Sequence, residues 1–350
     1  MEVTVAGRFP IVSAGQHPLR AALEAWRARD DPDPFTALSD PAFVAAQAQA
    51  TRELMALQAE AGVDLPSDGY VPVYDEWFAW SASVAGVESE KHIRYLDTNT
   101  YYHRWRITAR PRRLRPGPHL DAYRRAAALS PRPVKPCLFG PFTIWAYALR
   151  EGEGDTPAAF DALVDVWAAE IADLAAAGAT YVQIDESPLL RPRHRGNVDL
   201  VERAIRRLAA AAPGVKLILH LACGAVDGPE RGDGSEGPAL LPRLLDLPVA
   251  GLGLDFTGAY RAPNLAALTS AGNTWGSRLL QAGVMDAREI RVEAVDDLRA
   301  TLAAVAERLP NSRILAAPNA ALLYVPRHAA LDKLAALAQT AHAPAVQVLR

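Results

Sequence analysis

Cysteine is nearly absent from this chain. Its 350 residues include two, Cys137 and Cys223, so no disulfide framework is indicated and a reducing cytoplasm is the expected setting. There is no run of about 18 apolar residues able to span a bilayer, because Glu and Asp interrupt the long Ala/Leu segments at helical spacing. The first residues, Met1 to Arg8, lack a basic start followed by an apolar stretch, so no signal peptide is expected. The net charge is only −3, which gives no reason to expect nucleic acid or an anionic membrane as a partner. The Arg110-Pro111-Arg112-Arg113 run reads as a solvated face. No glycine-rich dinucleotide turn follows a first strand, so no nucleotide cofactor is expected. What remains is half hydrophobic and 22% charged, the balance of a soluble globular protein.

The pattern along the chain is repetitive. A helix is expected from about Asp40 to Gly62, where glycine stops it. Short β-branched or leucine-rich runs then alternate with alanine-rich helical segments. The runs are Val134–Phe139, Thr180–Ile184, Lys216–Leu219, Ala250–Leu254, Arg278–Val284 and Arg313–Ala317. Such alternation predicts parallel βαβ units, and near-continuous apolar strands predict a sheet covered on both faces. With Val3–Ala6 and Val63–Leu65 the count reaches eight, so the expected fold is a single (β/α)8 TIM barrel over residues 1–350. A doubly wound open sheet is the alternative. Residues 71–132 break the pattern with Tyr74, Trp77, Phe78, Trp80, Tyr95, Tyr101, Tyr102 and Trp105. They read as an aromatic-rich insertion after strand 2 at the barrel mouth, or as a hydrophobic cluster beneath a long loop.

In a barrel, polar residues at the strand ends converge on one pocket. Here they are Asp68, Lys135, Asp185, Glu186, His220, Cys223, Asp255, Asp286 and Asn319. Any one Asp after a strand is as well explained as a helix N-cap; the succession is harder to explain that way. Asp185 and Glu186 are adjacent, so one can face the pocket while the other binds a neighbouring loop. His220 and Cys223, with Asp255 from the next strand, have residue types that could ligate one metal.

At these residues the chain resembles the catalytic domain of the cobalamin-independent methionine synthase family. The resemblance rests on Gly62-Val63-Asp64 with Ser67-Asp68-Gly69, Asp97-Thr98-Asn99-Thr100-Tyr101-Tyr102, Gly140-Pro141-Phe142-Thr143, Gln183-Ile184-Asp185-Glu186 and Gly283-Val284-Met285-Asp286. It implies methyl or alkyl transfer to a thiol such as homocysteine, with zinc lowering the thiol pKa. By position, His220 matches the family's His ligand and Asp255 stands where a Glu is expected. Asn319 falls where a second Cys belongs, and Cys223 lies one place late, after Ala222. Fewer thiolates weaken a soft zinc site. Tyr70 replaces a Glu that receives the substrate amine, whereas Asp185, the other such carboxylate, is kept.

The expected assignment is therefore a methyltransferase with Asp185 and Asp286 catalytic. Asp68, Tyr70, Asn99, Tyr101, Glu186 and Asn319 would bind substrate, and His220, Cys223 and Asp255 would hold zinc. The partners would be a thiol or amino-acid substrate and a methyl donor, either a folate or a corrinoid protein. A metal-free, carboxylate-lined barrel site of the uroporphyrinogen decarboxylase type is the second reading. A non-catalytic descendant is the third.

Overall fold

The computed structural model describes residues 1–10, 18–27, 40–69, 76–94, 101–221 and 236–342. Tyr70, Asn99 and Cys223, each singled out by sequence, lie outside them. The described strands are β1 (Glu2–Val3), β2 (Val84–Arg94), β3 (Tyr101–Arg113), β4 (Cys137–Phe139), β5 (Leu149–Arg150), β6 (Tyr181–Asp185), β7 (Lys216–His220), β8 (Gly251–Asp255), β9 (Leu279–Met285) and β10 (Ile314–Pro318). Seven of them form one curled sheet in the order β1-β10-β9-β8-β7-β6-β4. Every pairing in it is parallel.

The alternation of strand and helix follows from local chemistry. In the helix Pro41–Glu60, Asp40 accepts from the Ala42 and Phe43 amides, Pro41 opens the first turn, and Gly62 at φ +76° follows the end. Thr156 caps the helix Pro157–Ala176 in the same way, accepting from the Ala159 amide. The expected strand from Val134 is shorter, beginning at Cys137, because Pro133 and Pro136 have no N–H to give a ladder. Val63–Leu65 forms a single bridge, Thr4 with Leu65, rather than a full strand.

Side chains alternate across each strand, and this divides the core in two. Val182, Ile184, Leu217, Leu219, Leu252, Leu254, Leu280 and Ala282 join the large cluster beneath the helices. Leu65, Tyr181, Ile218, Leu279 and Leu315 form a separate apolar layer. By parity, the residues two and four places beyond that layer share the inner face. These are Gln183 and Asp185 on β6, His220 on β7, and Gln281 on β9. The strands run one residue beyond the apolar runs read from sequence, so Asp185, His220 and Asp255 end their strands instead of following them.

The aromatic segment builds a second, three-stranded sheet, β2-β3-β5, with β2 and β3 antiparallel. Its rings pack as a cluster: Trp77 stacks on Tyr102 at 5.2 Å, and Trp80 lies 4.0 Å from Trp167 of the helix Pro157–Ala176. A chain of charges runs alongside. Arg8 pairs with Glu76 at 2.5 Å, Glu76 with His119 at 3.0 Å, His119 with Glu170 at 3.5 Å, and Arg113 with Glu170 at 2.9 Å. Buried charge is tolerated only when paired, and here the signs alternate along the chain.

Burial disfavours the His119 cation, yet the hydrogen bonds and charges of Glu170 and Glu76 outweigh it and lift its pKa from 6.5 to about 9. Stability from this group is therefore complete below pH 6.5 and lost as pH rises through about 9. Thermal melts between pH 6 and pH 10 should show that decline, and His119→Gln should flatten it. A wild-type melting temperature constant across this range would contradict the assignment.

Candidate functional site

The inner-face polar residues meet at the carboxyl ends of β6 and β7. Asp185 and His220 are register partners across these strands, and the Asp185 Oδ1 lies 2.9 Å from His220 Nδ1. The Gln183 amide nitrogen donates to the same Oδ1 at 2.8 Å. A carboxylate at hydrogen-bond distance is the stronger acceptor, so Nδ1 carries the proton and donates to Asp185. Among the described residues neither Asp185 Oδ2 nor His220 Nε2 has a hydrogen-bond partner. Asp185 is 18% exposed beside the buried His220. This pair thus offers one open carboxylate oxygen and one imidazole lone pair.

Glu186 takes the opposite direction, as adjacency on a strand requires. Its carboxylate accepts from the Phe142 amide at 3.0 Å, the Thr143 amide at 2.7 Å and the Thr143 hydroxyl at 2.8 Å. Burial pushes its pKa up to about 8, against these hydrogen bonds. A Cβ on Gly140 would stand 2.1 Å from this carboxyl group, which explains the glycine of the Gly140-Pro141-Phe142-Thr143 turn. Both Glu186 oxygens are engaged by the chain itself.

A second cluster surrounds Asp255. Its Oδ1 accepts from the Thr257 amide at 2.8 Å and the Thr257 hydroxyl at 2.7 Å. Its Oδ2 lies 3.1 Å from the Asn319 amide nitrogen and 3.6 Å from the Arg288 guanidinium. Asn319 Oδ1 accepts from the Ala287 amide at 2.9 Å, which fixes the NH2 group toward Asp255. Arg288 also donates to both oxygens of Asp286, at 2.6 and 2.9 Å, and to the Thr257 hydroxyl at 2.7 Å. Burial opposes ionisation of Asp286, and the Arg288 contacts more than offset it, so its pKa is lowered. At Asp255 burial wins over the Arg288 charge and the Thr257 hydrogen bonds, and the pKa is raised.

This arrangement tests the expected zinc ligands. His220 fits, with a lone pair on Nε2. Asp255 does not: both its oxygens are already taken by donors, and a guanidinium stands beside it. Asn319 presents N–H rather than a lone pair. Among the described residues no group of three or more His, Cys, Asp or Glu is placed to hold a metal. Cys223 lies outside those residues.

Asp68 is buried on the turn that Gln58 holds through the Ser67 backbone, at 2.8 and 3.0 Å. Tyr101 is 50% exposed, while its neighbour Tyr102 is buried and accepts from Arg8 at 2.7 Å. Sequence reasoning missed Gln183, Gln281, Thr257 and Arg288 as parts of the site. Period two could have found Gln183, two places before Asp185. Nothing in local sequence announces that Arg288 folds back onto Asp286.

The His220 ring lies over Gly253 of the next strand, where a Cβ would come within 2.3 Å of it. Asp185 holds the other side of the ring, so it cannot give way. Gly253→Ala should cost about 1–3 kcal/mol and break the Asp185–His220 contact. Denaturant unfolding with a structure of the variant checks this; an unchanged midpoint with the contact intact would contradict it.

Comparison with known proteins places this geometry in a family. Residues 66–310 match the family model described as the cobalamin-independent synthase N-terminal domain, where the motifs resemble the catalytic domain. A 5-methyltetrahydropteroyltriglutamate--homocysteine methyltransferase of Streptomyces avermitilis is 36% identical over 213 residues, 59% of this chain and 25% of that protein. The Streptomyces griseus enzyme of the same name is 31% identical over 278 residues, 74% of this chain and 32% of that protein. The chain thus spans about a quarter to a third of the length of these curated relatives. A B12-independent methionine synthase from Shewanella, solved with selenomethionine, superposes with a TM-score of 0.78 at 16% identity, covering 97% of this chain and 96% of that one. A putative vitamin-B12 independent methionine synthase from Listeria monocytogenes gives 0.67 at 14% identity, covering 97% and 98%. At such identities the structures speak for a shared, TIM-barrel-like fold alone, and it is the family model that decides: the chain belongs to the cobalamin-independent methionine synthase family.

Proposed function

We propose that this protein is a methyltransferase of the methionine synthase type, moving a methyl group to a thiol such as homocysteine. The observation that carries the reading is the Asp185–His220 pair, with Asp185 in the family's Gln-Ile-Asp-Glu motif and with one oxygen and one nitrogen unengaged among the described residues. Asp185 Oδ2 would receive the substrate ammonium group while Oδ1 holds His220. Nε2 of His220 is the group that takes up the thiol proton. The thiolate sulfur then bonds to the methyl carbon as that carbon's bond to the donor breaks, and the electron pair leaves with the donor. The donor would be a folate or a corrinoid protein. Asp286 and Asn319 act at one remove, by fixing Arg288 and Asp255.

The same reading takes the sheet as a complete (β/α)8 barrel within a single domain, with residues 63–66 in the eighth place. Support comes from the Thr4–Leu65 bridge on one side and the Lys135 amide donating to the Pro66 carbonyl at 2.8 Å on the other. The aromatic sheet would be the insertion beside the barrel mouth, with Tyr70 and Asn99 in the pocket wall. No helix among the described residues is long and apolar enough to cross a membrane.

A second reading is favoured by one observation, the guanidinium of Arg288 between Asp255 and Asp286. It makes the pocket a metal-free carboxylate site of the uroporphyrinogen decarboxylase type. Zinc has no step in either reading, because the donors at Asp255 and Asn319 do not suit it.

An isotope-labelled methyl-transfer assay decides between them. Homocysteine should be methylated from a methylfolate or a methylated corrinoid, and Asp185→Asn should raise KM for homocysteine roughly 10- to 100-fold through loss of a charged hydrogen bond. No transfer from either donor, with the protein folded, would favour the second reading.

A further inference from the structure

One donor in the barrel interior has nothing to donate to. Gln281 on β9 is buried, 1% exposed. Its Oε1 accepts from the Lys135 ammonium at 2.5 Å, while its Nε2 has no hydrogen-bond partner. Buried polar groups are as a rule paired, and an orphaned donor is costly. Turning the amide over brings no relief, because an ammonium donates and never accepts, so Lys135 requires the oxygen.

Lys135 adds to the imbalance. It is fully buried, and it meets only neutral acceptors, Gln281 Oε1 and, at 2.6 Å, Gln183 Oε1. An ammonium has three N–H bonds for these two oxygens, and no carboxylate bonds to it among the described residues. A cation on the amide oxygen polarises Gln281 and strengthens its N–H groups as donors.

Position says where that donor lies. Asp185, His220, Gly253 and Gln281 are successive register partners across β6, β7, β8 and β9, and parity puts all four on the inner face. Gly253 has no side chain, and the His220 imidazole lies over it. The next inner-face residue along β9 is Gly283, and on the far side Gln281 partners the apolar Leu315. None of these three brings a side-chain acceptor to Nε2. The polar row that starts at the partly exposed Asp185 thus ends at an amide nitrogen that lacks an acceptor.

We propose that Gln281 is a substrate-binding residue whose Nε2–H groups, backed by Lys135, receive an anionic atom of the ligand. A charged acceptor makes the stronger hydrogen bond, and the cation behind the amide favours it further. The identity of the ligand rests on the methyl-transfer reading. In homocysteine the anionic atom is a carboxylate oxygen or the thiolate sulfur.

Bromide tests the site without any substrate. Crystals of the protein grown in bromide should show anomalous density against Gln281 Nε2, and Gln281→Leu should abolish it. Should that variant fail to fold, Gln281→Glu serves instead. Its carboxylate pairs with Lys135, which preserves the fold, and it presents oxygen where the wild type presents N–H. Bromide should be absent there too. A water only, or no density, at Nε2 in the wild type overturns the proposal, as does bromide kept by both variants.

Calorimetry then identifies the atom that is bound. Homocysteine should bind each variant roughly 10- to 100-fold more weakly than the wild type, through loss of a hydrogen bond to a charged group. If the carboxylate is the partner, 3-aminopropanethiol, which lacks it, binds wild type and variants alike. If the sulfur is the partner, homoserine does so. Equal homocysteine affinity in wild type and variants overturns the proposal even where methyl transfer is found. No homocysteine binding to the wild type counts instead against the methyl-transfer reading, and the bromide result still decides the role of Gln281.

Discussion

A carboxylate cannot be buried without donors, and the pocket end of this protein is organised around that requirement. Asp255 is almost fully enclosed. Thr257, Asn319 and Arg288 together supply it with two hydrogen bonds on one oxygen, and one hydrogen bond with a nearby cation on the other. Arg288 in turn binds Asp286 through both oxygens, and the Ala287 amide fixes the Asn319 side chain. Each group is oriented by the next, so the cluster is a rigid wall rather than a set of free ligands. The Asp185–His220 pair has the opposite character: among the described residues Asp185 Oδ2 and His220 Nε2 have no hydrogen-bond partner. In the proposed reaction these are the atoms that meet the substrate.

The distinction comes from strand parity. One face of each central strand puts two or three apolar residues against the helices. The other runs from an apolar layer through amides and an ammonium to ionisable groups. On β6 this is Tyr181, Gln183 and Asp185; on β7, Ile218 and His220. Glycine at 253 makes room for the imidazole. A polar interior is costly, and among the described residues its groups are largely paired, although the Gln281 nitrogen is buried without a hydrogen-bond partner.

Much of this was legible in the sequence. The strands carrying Asp185, His220 and Asp255 lie within one or two residues of the expected runs, because β-branched and leucine-rich stretches bounded by alanine-rich helices leave few alternatives. The split between Asp185 and Glu186 follows from adjacency alone. The surroundings of the expected zinc ligands were not legible. Residue types suggested His220 with Asp255, but whether an aspartate is free to ligate depends on what folds onto it. Arg288, two residues beyond Asp286, does so through a turn that no periodicity signals. The aromatic residues were ambiguous for a related reason. Trp80 and Trp105 pack on Trp167 of the helix Pro157–Ala176 and Trp77 stacks on Tyr102, contacts that no local pattern distinguishes from lining a mouth, and three of the expected pocket residues lie outside the described parts of the chain.

The central claim is that the chain's own donors, Arg288 and Asn319 foremost, occupy the place where a zinc-binding carboxylate and thiolate would be expected. Metal analysis by mass spectrometry of protein purified without chelators or added metal tests it most directly. The account predicts no stoichiometric zinc, and no change in zinc content on Asp255→Asn. One zinc per chain, lost in that variant, would contradict it.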